Sequence, residues 1–193
     1  MESLRKRNRL TAMRTTQRVA LSMFIERGFD NVTVGEIAAE VGMAPSTLYR
    51  HFRTKEDTVM WDEHDAAIDD ALEHALTCKP PLEALQSVFV NELATRYDAD
   101  LDFQLRRIRY IYATEQLHAA AVEADLRTRA ELTAGLEHAM TKKNRPAAAI
   151  IAGAALLALD IAIDRWQSDN ARQSLTKRIE ESFQQLKQIN HLA

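Results

Sequence analysis

Gly28, Thr33-Val-Gly-Glu36, Gly42, Pro45 and Thr54-Lys-Glu-Asp57 each mark a helix boundary, and they crowd into one short stretch of the chain. Gly28 followed by Phe29 is a C-terminal stop for a helix running from about Arg9, whose Met13, Ala20, Leu21, Phe24 and Ile25 fall on one face. Thr33 and Glu36 form a capping box, in which hydroxyl and carboxylate satisfy the orphan amides of a helix start. Val34, Ile37, Ala38 and Val41 then recur at i, i+3, i+4 and i+7, so the second helix is short and one-sided, and Gly42 stops it. Met43 and Ala44 lead tightly to Pro45, whose fixed φ suits the first position of a third helix. In that helix Leu48 and Phe52 share the inward face and leave Ser46, Thr47, Tyr49 and Arg50 outward. The second capping box, Thr54 to Asp57, opens a fourth helix that should run to about Thr77. Two short helices joined by a glycine turn constitute a helix-turn-helix over about 34–53.

The rest of the chain must also be helical. With Gly 5 and Pro 4 in 193 residues there are too few turn formers for a sheet protein, and 46% hydrophobic residues suffice for a real core. Helical periodicity continues over 82–97, about 102–115, about 119–143, 147–167 and 171–190, with Pro80-Pro81 as a boundary. The net charge of -3 conceals a division: residues 1–55 hold ten Lys/Arg against five Asp/Glu, and residues 56–193 hold fifteen against twenty-three. A basic head on an acidic body points to an anionic partner for the head alone. The domains expected are therefore a DNA-binding head over 1–55 and a helical body over 56–193. The lone Cys78 excludes an internal disulfide and a cysteine-rich zinc site, which indicates a reducing, cytoplasmic setting. No export signal is expected, because polar residues interrupt the stretch after the first arginines. The uncharged run from Pro146 to Leu159 ends at Asp160, short of the roughly 20 apolar residues of a membrane span, and reads as a buried helix.

The segment GFDNVTVGEIAAEVGMAPSTLYRHFRTKEDTV, residues 28–59, resembles the DNA-binding domain of the TetR family of bacterial transcription regulators. The Gly-Phe stop, Thr cap, turn glycine, Leu-Tyr-x-His-Phe helix and following Lys-Glu all stand in register. The resemblance implies an all-α fold of about nine helices: three in a helix-turn-helix head, the rest in a ligand-binding and dimerisation body. It also carries Tyr49, His51 and Lys55 over as phosphate and groove contacts. Thr47 offers a hydroxyl and a methyl to a base edge, and Arg50 is the long bidentate donor of this helix. Thr33 can address phosphate as a cap, and Pro45 and Ser46 complete the candidate set at the start of the helix. The sequence departs from the family's pattern at Ala44, where a capping serine is common, and at Pro45, where a polar base-reading residue often sits. Arg5, Lys6, Arg7 and Arg9 read either as a minor-groove or phosphate arm or as an inert solubilising tail.

The body's last two helices are the expected dimer surface, through Gly153, Leu156, Leu175, Ile179, Phe183 and Leu186. A symmetric dimer supplies two recognition helices to a double-stranded operator. On the family's example the remaining helices enclose a small-molecule effector pocket, for which Trp61, Phe89, Leu93, Phe103, Tyr110, Met140 and Trp166 are candidate lining and Arg106, Arg107 or Arg109 candidate anion contacts. Met60-Trp-Asp-Glu63, the run Arg106-Arg107-Ile108-Arg109 and Ala162-Ile-Asp-Arg-Trp166 resemble the subgroup whose body binds acyl-CoA-like ligands. They imply a fatty acyl or acyl-CoA effector and no other cofactor.

Enzymatic readings find little support. Glu115-x-x-His118 has di-iron spacing but no second copy. Asp70, His74 and Cys78 share a helix face that reads as solvated surface, and Asp62, Glu63, His64 and Asp65 are consecutive and cannot converge. There is no glycine-rich phosphate loop and no nucleophile elbow. The sequence therefore reads as a cytoplasmic, homodimeric, effector-responsive regulator, most simply a repressor, with no enzymatic activity, no metal and no membrane partner. A lipid or small-molecule carrier without DNA binding is the alternative, and a di-iron enzyme the remote one.

Overall fold

The computed structural model describes residues 2–61 and 65–188, side chains excepted at 2, 3, 6 and 65–69. The described residues are helices and connections without a strand. In chain order they are α1 Glu2–Arg27, α2 Val34–Glu40, α3 Pro45–His51, α4 Asp57–Met60, α5 Asp65–Leu76, α6 Pro81–Val88, a π-helical stretch Phe89–Ala94, α7 Thr95–Ala99, α8 Leu101–Ala113, α9 Glu115–Ala139, a 3-10 turn Arg145–Ala147, α10 Ala148–Ser168 and α11 Leu175–Gln188. Contacts divide the chain into two compact units, Met1–Glu63 with Arg106–Ala121, and His64–Leu105 with Val122–Ala193. The first is thus larger than residues 1–55, because Thr58, Val59 and a later helical segment with Arg107, Ile108 and Ile111 contribute buried residues to it.

In the first unit Met13, Ala20, Leu21 and Phe24 of α1 are buried together with Ile37 and Ala38 of α2, Leu48 of α3 and Val59 of α4, α1 packing on α2 and α4 and α2 on α3. Phe24 lies 4.9 Å from the Phe29 ring and stacks on Tyr110 at 6.4 Å, and the Tyr110 hydroxyl donates to Phe24 O at 2.9 Å. Two details differ from the sequence reading. Ile25 is exposed, since it falls between the inward positions Leu21 and Phe24 and those that follow. Helix α1 begins at Glu2 rather than near Arg9, because nothing in the first residues breaks a helix and Leu, Arg and Lys favour one.

The fourth helix departs further from expectation. It does not run from Thr54 to Thr77: α4 ends at Met60 and Trp61 turns to extended geometry, φ -52 and ψ 128. Two buried side chains hold the end. Gln17 Nε2 donates to Val59 O at 3.1 Å and to Trp61 O at 2.7 Å. Arg107 donates to Val59 O at 2.8 Å, Met60 O at 3.2 Å and Trp61 O at 3.3 Å. The carbonyls orphaned at a helix C-terminus therefore find partners from α1 and α8. Residues Asp62, Glu63 and His64 lie outside the described residues, as do the side chains at Asp65 to Asp69.

In the second unit, α10 and α11 pack antiparallel over a small-residue face. Ala152, Ala155 and Ala162 of α10 are fully buried and let α11 approach closely enough to bury Leu175, Ile179 and Phe183 completely. This corrects the expected dimer set: Leu175, Ile179 and Phe183 belong to the chain's own core, because the strong stripe of α11 is spent on α10 and on Phe89, whose ring lies edge-on to Phe183 at 6.1 Å. Gly153, Leu156 and Leu186 remain half-buried. Asp98 caps α11 by accepting from Leu175 N at 2.8 Å and from the Thr176 hydroxyl at 3.0 Å. The π-helical stretch is held by Thr95, whose hydroxyl donates to Val90 O at 3.0 Å.

The segment Arg145–Ser168 is long and apolar enough to cross a membrane by length and composition, with a mean hydropathy of 2.1, which the sequence reading had not expected. In this fold one face of it is buried against its neighbours through Ala148, Leu159 and Trp166, while Ile150 and Leu157 on the other face are exposed.

Candidate nucleic-acid interface

The helix-turn-helix is assembled by local chemistry. Gly28 sits at φ +84, a left-handed conformation that ends α1, and Gly28 N donates to Phe24 O at 2.8 Å. The capping box at α2 is complete: Glu36 N donates to Thr33 Oγ1 at 3.2 Å, while Thr33 N and Thr33 Oγ1 donate to Glu36 Oε2 at 2.8 and 2.7 Å. Arg27 pairs with the other Glu36 oxygen, and these bonds to the anion, Arg27's first, hold its carboxyl down at about 2. At the other end of α2, Gly42 at φ +65 closes the helix: Met43 N donates to Ala38 O at 2.8 Å and Gly42 N to Ala39 O at 3.1 Å. This paired arrangement is the Schellman motif, and it turns the chain directly into Ala44 and Pro45.

Helix α3 is anchored by Leu48 and by Phe52 beyond its end, 0% and 2% exposed. The Phe52 ring meets Trp61 edge-on at 6.1 Å. With these two anchors fixed, Pro45, Ser46, Tyr49 and Arg50 are exposed and Thr47 is half-buried at the rim, so the face expected to meet DNA is presented to solvent. Tyr49, at 53% exposure, is a large aromatic that no core contact retains. His51 has its Nδ1 buried without a hydrogen-bond partner, and burial followed by the charges of Arg9 and Arg50 pushes its pKa below 6.5.

Two expected contacts are engaged within the chain. The Lys55 ammonium donates to Phe29 O at 2.7 Å and sits 4.0 Å from the centre of the Phe29 ring, so it ties the start of α4 to the turn after α1. The Thr33 hydroxyl is taken up by its capping box. The second capping box forms as expected: Asp57 N donates to Thr54 Oγ1 at 3.1 Å, and Arg53 N and Thr54 N to Asp57 Oδ2 at 3.0 Å.

The residues expected to line an effector pocket separate between the units. Trp61, Arg106, Arg107 and Tyr110 lie in the first, and Phe89, Leu93, Phe103, Met140 and Trp166 in the second. Phe89, Phe103 and Trp166 are buried in packing, Trp166 against Tyr97 at 6.1 Å. Arg107 is 4% exposed and its guanidinium is bound to the α4 carbonyls, so the arginine run does not act as three equivalent cations: Arg106 is exposed and Arg109 half-buried. Gln17 was missed altogether, although a polar residue on the same face as Met13 and Ala20 is a visible signal of a buried partner. Among the described residues no group of three His, Cys, Asp or Glu is placed to hold a metal ion.

Residues 18–59 match the family described as bacterial regulatory proteins, tetR family. The HTH-type transcriptional regulator TcmR of Streptomyces glaucescens is 35% identical over 89 residues, 44% of this chain and 38% of that protein. An HTH-type transcriptional regulator of Staphylococcus aureus strain COL is 42% identical over 41 residues, 21% of this chain and 22% of that protein. The chain thus spans well under half the length of these relatives. Its fold is similar to that of Thermus thermophilus FadR, a TetR-family transcriptional repressor solved with lauroyl-CoA, with TM-score 0.57, 18% identity, and coverage of 91% of this chain and 93% of that one. It is also similar to Pseudomonas aeruginosa NalD, the secondary repressor of a multidrug efflux pump, with TM-score 0.53, 18% identity, and coverage of 94% and 96%. Residues 18–59 thus carry a segment that matches the tetR family of bacterial regulatory proteins, and the all-helical fold of the chain is similar to that of TetR-family regulators.

Proposed function

We propose that the chain is an effector-responsive, DNA-binding transcriptional repressor that works as a homodimer in the cytoplasm, and not an enzyme. The observation that carries this reading is α3: a short helix pinned by Leu48 and Phe52 that turns Ser46, Tyr49 and Arg50 outward from a basic head. Such a helix fits the major groove, with Thr47 and Arg50 able to reach base edges and Tyr49 able to reach the backbone.

The dimer surface we assign is the outer face of α10. Ile150 and Leu157 are 72% and 59% exposed, and with Ala154 and Ile161 they follow a heptad-like spacing beside a groove of about 270 Å³ lined also by Ser182, Gln185 and Leu186. Burying this seam against a second copy removes apolar area from water and places two recognition helices on neighbouring half-sites. The domain roles follow: the first unit meets the operator, and the second carries assembly and effector binding. For the effector we favour an elongated apolar molecule with an anionic end, such as a fatty acyl or acyl-CoA, the class bound by the similarly folded FadR. It would release the operator by binding more tightly to a form in which the recognition helices are wrongly spaced.

The test is selection of bound fragments from the source genome by the full chain, repeated with lauroyl-CoA, lauric acid and a neutral ester. Enrichment of a two-fold-symmetric site that lauroyl-CoA releases supports the reading. No enrichment above bulk DNA overturns the regulator, and enrichment unaffected by all three ligands overturns the effector class alone.

A further inference from the structure

The groove beside the outer face of α10 holds two polar groups that do not meet each other. Ser182 and Gln185 stand three residues apart on one face of α11, and both line the groove with the apolar side chains of Leu157, Ile161 and Leu186. Ser182 is 4% exposed, and its hydroxyl is buried without a hydrogen-bond partner. Buried polar groups in folded proteins are nearly always bonded, so this hydroxyl calls for a partner from outside the chain. Gln185 is exposed at the rim, where Arg165 Nη1 donates to its Oε1 at 3.3 Å. A guanidinium only donates, so the amide oxygen faces Arg165 and the Nε2 keeps its hydrogens free to donate. Arg165 thereby holds Gln185 away from Ser182, and no bond joins the two within the chain.

We propose that Ser182 and Gln185 form a reciprocal pair across a two-fold axis, the Gln185 Nε2 of each protomer donating to the Ser182 hydroxyl of the other, and that this pair selects a second copy of the chain as the occupant of the groove. The inference rests on the dimer seam assigned above, with which the groove is continuous. A two-fold interface is self-complementary: where residue i meets j, j meets i. A surface that offers one unmet hydroxyl and, three residues on, one unmet amide satisfies that condition with its own copy. A purely apolar occupant would cover Leu157 and Ile161 and leave the Ser182 hydroxyl unbonded. The exposed stripe of Ile150, Leu157 and Ile161 supplies attraction without fixing register, whereas a single polar pair in an apolar seam specifies register and partner. A similarly folded chain with an apolar residue at either position would strand one member of the pair, so the same contact disfavours mixed dimers.

The experiment mixes two full-length variants, Ser182→Ala and Gln185→Met, one of them labelled with heavy nitrogen, and counts homodimers and heterodimers by native mass spectrometry. Each homodimer lacks both cross-chain bonds and should dissociate at higher protein concentration than the unaltered dimer. In the heterodimer the missing hydroxyl faces the missing amide, and the second bond is intact with no group left over. Heterodimers should therefore exceed the statistical ratio by about fivefold or more. A statistical mixture, or monomers alone in the mixture, overturns the pair while leaving the dimer of the unaltered chain standing. Unaltered protein that stays monomeric, with or without a small molecule retained in the groove, overturns both the pair and the seam.

Discussion

Arg107 offers a sharp test of how the head is built, because a guanidinium expected to meet a ligand anion instead binds the end of α4. Replacing it with methionine keeps the length and removes three hydrogen bonds, those to Val59 O, Met60 O and Trp61 O. Val59 O and Trp61 O keep Gln17, and Met60 O loses the bond that Arg107 supplied. Charged hydrogen bonds contribute roughly 1.5–3 kcal/mol each in isolation, and removing a desolvated cation returns part of that, so the expected net loss is about 2–4 kcal/mol. For a chain of this size that corresponds to a fall of roughly 5–15 °C in Tm. Urea denaturation followed by circular dichroism measures the loss. Gln17→Leu should cost less, about 1–2 kcal/mol, and the double variant should show coupling of about 0.5 kcal/mol or more because both side chains share two carbonyls. A loss below about 0.5 kcal/mol in Arg107→Met, accompanied by weaker acyl-CoA binding, would refute the reasoning and return Arg107 to the ligand.

Other expectations follow from the same structure. Asp160, on α10, is pushed up to about 6 by burial and then by the neighbouring charge of Asp125. A carboxyl whose folded pKa is raised stabilises below its unfolded value and loses that contribution as pH rises through the folded one. Asp160→Asn should therefore stabilise at pH 8, by about 1 kcal/mol after discounting for partial exposure, and change little at pH 4. Glu36 has the opposite sign: the bonds from Arg27 and Thr33 hold it at about 2, so its contribution is present above the ordinary 4.5 and is lost as pH falls toward 2. Acid unfolding of Glu36→Gln should lack that component. Thr33→Ala should cost about 1 kcal/mol at neutral pH by thermal melting. Leu157→Glu places a charge on the exposed seam of α10 and should shift sedimentation from dimer to monomer, whereas a dimer that persists would move the interface elsewhere.

The head was legible because its signals are local. A capping box, a left-handed glycine and a proline at a first helical position act over three or four residues, so Thr33, Gly42, Pro45 and the anchors Leu48 and Phe52 could be placed from spacing alone. The break at Trp61 was not legible, since it depends on Gln17 and Arg107, which are 44 and 46 residues away along the chain. The bond from Lys55 to Phe29 was not legible for the same reason, its partner lying 26 residues back. In the body, periodicity found the stripe of Leu175, Ile179 and Phe183 but could not tell whether another chain or α10 covers it. The alanines at 152, 155 and 162 decide the matter by letting α11 approach. Bulky residues such as Phe89 and Trp166 are equally suited to a cavity wall and a packed core, so their sequence pattern could not separate the two.

The central claim, that α3 reads DNA from the face it presents, is tested most directly by titrating the full chain with a selected duplex and with the same duplex scrambled, across a range of salt. The structure leads to tight binding of the selected duplex, at least about a thousandfold over the scrambled one at moderate salt. Affinity should fall steeply as salt rises, and Tyr49→Ala should weaken binding to both duplexes while Thr47→Ala narrows the difference between them. Equal affinity for the two duplexes, or binding unchanged in both variants, would contradict the account.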